Sequence, residues 1–100
     1  MKHYKLDLLA VPNQRFNTTL NGQNITVELR TARGICYISL SQDGKYIAAG
    51  IKCVPNASLL TANVRRIING DLMFVCHTDD YPSYDKFTTP DCKLIYSTNE

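Results

Sequence analysis

The first regular pattern in the chain alternates one for one: Tyr4, Leu6 and Leu8 are apolar against Lys5 and Asp7. A period of two marks a strand with one buried face and predicts a strand over residues 3–9. After Val11-Pro12-Asn13-Gln14 the period returns at Phe16, Thr18 and Leu20, stops at Asn21-Gly22, and resumes at Ile25, Val27 and Leu29. Asn-Gly takes positive φ at both central positions of a type I′ turn, so these two runs predict a β-hairpin. Cys36, Ile38 and Leu40, then Asp43-Gly44, then Ile47, Ala49, Ile51 and Cys53 predict a second one.

Past Val54-Pro55-Asn56 neither period holds through Leu59, Leu60 and Val64. This segment reads as a crossing loop, with one helical turn near Leu59 to Ala62, that runs on into Arg65-Arg66-Ile67-Ile68. Asn69-Gly70-Asp71 then turns the chain into residues 72–77, apolar on both faces and so predicted as a central strand. Residues 77–90 form a loop carrying Asp79, Asp80, Asp85 and two prolines, pinned to the body by Tyr81, Tyr84 and Phe87. Residues 92–97 close the chain as a short strand with Leu94 and Tyr96 on one face.

Seven short antiparallel strands predict an all-β chain. The expected architecture is one compact β-sandwich or small barrel over residues 1–100, a single domain with a long aromatic and acidic loop. The alternation predicts a core of Leu6, Ile25, Val27, Leu29, Ile38, Ile47, Ile51 and Phe74.

Composition narrows the function classes. With 44% hydrophobic and 20% charged residues over 100 positions, the chain has enough apolar surface for one core and lies outside the regime of disorder. A formal charge of +2 is too small to mark a nucleic-acid binder on bulk charge. Its distribution says more, since residues 1–70 hold nine basic and three acidic groups while residues 71–100 hold two basic and six acidic. Such polarity suits head-to-tail or hetero-association. The N-terminus starts basic, but Asp7 and Pro12 interrupt it before a signal-peptide core is reached, and no apolar run approaches the roughly 20 residues a bilayer requires. The expectation is a chain that begins in the cytoplasm and engages no membrane. In reducing surroundings Cys36, Cys53, Cys76 and Cys92 are expected as free thiols, because spacings of 17, 23 and 16 residues contain neither a C-x-x-C pair nor a zinc pattern.

Chemistry is sparse. Nucleophilic catalysis needs a Cys or Ser beside a base, and His3 and His77 are the only histidines. His77 follows Cys76 directly, and neighbours on a strand point to opposite faces, so they form no dyad. His77 is expected at a strand rim, donating to a carboxylate such as Asp79. Asp79, Asp80 and Asp85 lack the spacing of a calcium loop. No catalytic, cofactor or metal site is expected. Arg30, Arg33, Arg65 and Arg66, with Tyr37 and Tyr46, fit the basic, aromatic groove of a small nucleic-acid-binding β-barrel, the alternative reading, which no phosphate-cradling glycine loop supports. Arg65 and Arg66 suit a protein interface equally well. Tyr81, Tyr84 and Phe87 join them as candidate interface residues, because a connection as long as residues 77–90 is uncommon without a purpose and aromatic rings are enriched at interface cores.

Val11-Pro12-Asn13-Gln14-Arg15-Phe16, the Asn21-Gly22 hairpin, Ala49-Gly50-Ile51-Lys52-Cys53-Val54-Pro55-Asn56-Ala57-Ser58-Leu59-Leu60 and Gly70-Asp71-Leu72-Met73-Phe74-Val75 together resemble the phage baseplate plug family. Tyr81-Pro82-Ser83-Tyr84-Asp85-Lys86-Phe87 and Leu94-Ile95-Tyr96 continue the likeness in the family's order over nearly the whole chain. The resemblance implies a compact all-β, non-enzymatic structural subunit in the tail baseplate of a contractile phage or related prophage particle. It implies a place at or near the central hub, helping to close the tail tube, in a particle assembled in the host cytoplasm. The implied partners are other baseplate or tail-hub proteins or a second copy of the chain, with no membrane or nucleic acid.

Overall fold

The computed structural model describes residues 2–77, 81–89 and 92–98. Along them run β1 (Lys2–Leu6), β2 (Asn13–Leu20), β3 (Gln23–Ala32), β4 (Ile35–Gln42), β5 (Lys45–Lys52), α1 (Ala62–Ile68), β6 (Gly70–Cys76) and β7 (Cys92–Thr98), with a 3-10 turn at Tyr84–Lys86. The strands form two antiparallel sheets, ordered β2-β3-β4-β5 and β1-β7-β6, around one cluster of buried side chains. This is the sandwich form of the expected fold, and among the described residues no strand pairing joins the two sheets into a closed barrel.

The larger sheet is a meander set by two-residue turns. Asn21-Gly22 and Asp43-Gly44 take positive φ at both positions, as their sequences predict. A third turn of the same hand, Arg33-Gly34, joins β3 to β4, with Arg33 at φ 53° where a non-glycine residue is uncommon. Only Gly34 marks that turn in the sequence.

Ile25, Val27, Leu29, Ile38, Leu6 and Phe74 are buried as expected, and Leu20, Leu40, Ile68, Leu72 and Leu94 join them. Ile47 and Ile51 are only partly buried against the cluster, which corrects two members of the predicted core. For Ile51, which faces Ile38, the cause is the place of β5 at the edge of its sheet, and for Ile47 it is irregular pairing of β4 with β5. Ile38 faces Ile51, Leu40 faces Ala48 and Ser41 faces Tyr46, so β5 gains a residue twice and Ile47 has no partner opposite. A bulge breaks the period of two on which Ile47 was placed. Gly50, at φ 62°, accommodates the irregularity, and its amide donates to Ser39 Oγ at 2.9 Å.

In the smaller sheet the strand expected at the centre lies at the edge. β6 is an edge strand, while the C-terminal β7 takes the centre and pairs with both β1 and β6. Leu72, Phe74 and Cys76 point inward, and Val75 is exposed. β1 ends at Leu6, short of the predicted residue 9, although Leu8 is buried. An open strand edge invites unwanted pairing, and residues 55–59 cover that of β6. The Asn56 amide donates to Phe74 O (2.7 Å) and the Leu59 amide to Leu72 O (3.0 Å). The Asn56 side chain accepts from the Cys76 amide (2.8 Å) and donates to the Cys76 carbonyl (3.1 Å), as a paired strand residue would.

Residues 62–68 are a further correction: they form a helix, placed after the single turn predicted at Leu59 to Ala62. Val64 and Ile68, four residues apart, are its buried face, and two contacts are too few to reveal a helical period in sequence. Asn69 ends it in the left-handed conformation, its amide bonded to Arg65 O. Tyr96 Oη donates to Ile68 O, and Thr98 Oγ1 donates to Asn69 O at 2.9 Å, so β7 holds the end of the helix. The chain passes so close here that a Cβ on Gly70 would lie 2.2 Å from Ser97 O, which admits only glycine.

Candidate functional site

α1 presents Arg65 and Arg66 outward because Val64 and Ile68 occupy its inner face. Basic groups in the last turn also suit the negative end of the helix. Arg65 Nη1 donates to Ser58 Oγ at 3.4 Å and lies 4.0 Å from Asp71 Oδ2, an exposed and therefore weak ion pair. Arg66 is exposed and has no partner among the described residues.

Beside the helix lies the outer face of the β1-β7-β6 sheet. Register sets its composition, because residues directly opposite on antiparallel strands share a face. Lys5 pairs with Ile95 and Ile95 with Met73, Lys93 pairs with Val75, and Ser97 stands between His3 and Asp71. His3 Nδ1 is 2.7 Å from Ser97 Oγ. Between α1 and this face runs a groove of about 580 Å³ lined by Arg65, Arg66, His3, Asp71, Met73 and Ser97 among others. The surface thus has an apolar strip of Met73, Val75 and Ile95 bordered by Lys5, Lys93, Arg65 and Arg66. An apolar centre with a charged rim is the usual anatomy of a protein interface.

The aromatic segment forms a separate patch. Tyr81 is 57% exposed, with Lys52 Nζ 4.5 Å from the centre of its ring. Tyr84 opens the 3-10 turn at 37% exposure. Phe87 is different: it is buried at 4% and stacked on Phe74, with ring centres 5.6 Å apart and planes 17° apart. That ring is spent inside the fold, where Phe87 anchors the segment, whereas Tyr81 and Tyr84 are its exposed rings. Neither tyrosine lines the groove beside α1. Asp79 and Asp80, expected on the same loop, and the pairing of His77 with Asp79 lie outside the described residues.

The residues nominated for a nucleic-acid groove are divided. Arg30, Tyr37 and Tyr46 line a pocket on the β2-β3-β4-β5 sheet together with Glu28, while Arg65 and Arg66 line the other groove. No group of three or more His, Cys, Asp or Glu able to hold a metal ion occurs among the described residues, nor does a helix long and apolar enough to cross a membrane.

Sequence reading missed His3, Asp71, Met73 and Ser97 as neighbours of the arginines. They come from the two ends of the chain and from β6, and only the pairing of β1, β7 and β6 brings them together. It also missed that the four free thiols meet in two pairs. Cys53 donates its amide to Cys36 O at 2.9 Å, and the hydrogen bond between their thiols lowers Cys36 and raises Cys53, whose burial pushes it further up. Cys76 and Cys92 face each other across β6 and β7, with their sulfurs 2.9 Å apart.

Comparison with known proteins adds one finding: residues 1–99 match the family described as cyanophage baseplate Pam3 plug gp18. No curated protein matches the chain. The chain belongs to that baseplate plug family.

Proposed function

We propose that this chain, as a baseplate plug, is a non-enzymatic structural subunit seated at or near the central hub of a phage tail baseplate, where it helps close the tail tube. The observation that carries the reading is the family match over residues 1–99, which leaves no described element outside the shared unit. The geometry agrees with a part made to dock. The groove beside α1, lined by Arg65 and Arg66 with His3 and Asp71, shares Met73 with the apolar strip of Met73, Val75 and Ile95, and its arginines fit an acidic neighbouring subunit and steer its approach. Tyr81 and Tyr84 give a second contact patch with large rings and polar tips, suited to a neighbouring baseplate protein or a second copy. Assembly takes place in the host cytoplasm before the tail is complete.

The double variant Arg65→Glu/Arg66→Glu tests the docking. Both side chains are exposed, so circular dichroism should stay at wild type, and reversing two charges at the helix end costs about 1–3 kcal/mol. Incorporation into purified tails should fall at least tenfold, measured by quantitative mass spectrometry against the tube protein. Unchanged incorporation would remove the α1 groove from the interface. Single-stranded DNA should bind only as a weak background that salt abolishes, since so small a net charge releases few counterions. Specific binding at physiological salt would favour the nucleic-acid reading instead.

A further inference from the structure

The geometry points to Cys76 and Cys92 as a latent disulfide, closed by thiol–disulfide exchange with a small-molecule disulfide such as oxidised glutathione. Cys76 is the last residue of β6 and Cys92 the first of β7, and they are direct partners in the ladder. Facing residues of an antiparallel pair have Cα atoms about 4.5–5.5 Å apart, within the range of about 4.4–6.8 Å that a disulfide spans. The sulfurs already sit at 2.9 Å, inside ordinary nonbonded contact of roughly 3.5–4.0 Å. Bonding at about 2.05 Å therefore requires a closure of less than about 1 Å and no change of register.

Access comes from position. The pair sits at the ends of two strands, and strand ends open locally at far lower cost than strand centres. Burial holds the Cys76 thiol protonated, pushed up to about 12, with its hydrogen bond to Cys92 acting in the same direction and the charge of Lys86 opposing. Cys92, at the start of β7, supplies the attacking sulfur. Its thiolate bonds to one sulfur of the glutathione disulfide and expels the other as glutathione thiolate. The Cys76 sulfur then attacks the mixed disulfide at Cys92, loses its proton to water and releases the second glutathione. The two cysteines lose two electrons and two protons, and one glutathione disulfide becomes two glutathione thiols. The bond ties both ends of the connection that carries Tyr81 and Tyr84 to the sheet, so oxidation fixes the base of that docking segment. The spacing of the cysteines in sequence, which promised no pairing, conceals this site because β6 and β7 are joined by a long connection.

The test uses the full chain, purified reduced, incubated natively with oxidised glutathione, quenched by alkylation and digested with trypsin without reduction. Cleavage after Arg66, Lys86 and Lys93 places Cys76 in peptide 67–86 and Cys92 in peptide 87–93. The expected product is those two peptides linked, two hydrogens lighter than their sum, from protein that runs as a single chain in non-reducing denaturing electrophoresis. Oxidised wild type should also melt on the order of 10 °C above its reduced form, as a constraint on a loop of this length implies, and Cys92→Ser should show no such difference. Recovery of both peptides fully alkylated, a stable glutathione adduct, or a bond between chains would overturn the assignment. Because the linked peptide is read in the wild-type chain, the result does not depend on the variant folding.

Discussion

Replacing Phe74 by alanine should remove about 3–5 kcal/mol of stability, the usual cost of emptying a buried phenylalanine site. Domains of this size hold only about 5–15 kcal/mol in total, so the variant should stand near the edge of folding at 37 °C. The expectation rests on where the ring sits. Phe74 is fully buried, faces Leu94 across the ladder and stacks on Phe87. Its carbonyl also takes the Asn56 amide, so the residue joins the core, the covered edge of β6 and the aromatic segment. Its loss should therefore loosen the segment bearing Tyr81 and Tyr84 as well as lower the melting point. Urea denaturation checks the first effect and amide exchange over residues 81–89 the second. A stability change below about 1 kcal/mol would mean that the ring does not fill the core site.

Tyr84→Ala should separate docking from folding. The ring is partly exposed, and the segment keeps its inward anchors Phe87 and Pro82, so the isolated variant should melt close to wild type. In the docking role proposed for it, its loss should cost about 2 kcal/mol or more, which is roughly a thirtyfold weaker contact. Competition between variant and wild-type chains for places in assembling particles would read that ratio. Equal incorporation would confine Tyr84 to holding its own loop.

The contrast between these two aromatic residues shows what the sequence discloses. Phe74 was legible because a strongly apolar run bounded by turn residues is buried whichever element it forms, and so short a run suits a strand. β2 and β3 were legible for the related reason that their alternation is clean and the Asn21-Gly22 turn fixes their register. Phe87 was expected both to pin its loop to the body and to serve an interface; its ring is turned inward as the pinning requires, and the sequence left both roles open because a loop has no periodicity to assign an aromatic side chain to a face. Ile47 was misplaced by a bulge, which a count of alternate positions cannot register. The central place of β7 depends on its pairing with β1, the opposite end of the chain, and no local pattern encodes so distant a partner. The same holds for the groove. Arg65 and Arg66 were visible as a basic pair, but His3, Asp71, Met73 and Ser97 became their neighbours only through the order of the smaller sheet. The fold class was legible from local rules, and the composition of the site was settled by long-range register.

The most direct measurement is electron cryo-microscopy of tails assembled with and without this chain, compared at the axis of the baseplate. The account predicts density of the size of this two-sheet sandwich across the end of the tube lumen in complete tails, meeting its neighbours through the α1 groove and the Tyr81–Tyr84 segment. That density should be absent, and the tube open, when the chain is omitted. A closed lumen without the chain, or a chain found only on the periphery of the baseplate, would contradict it.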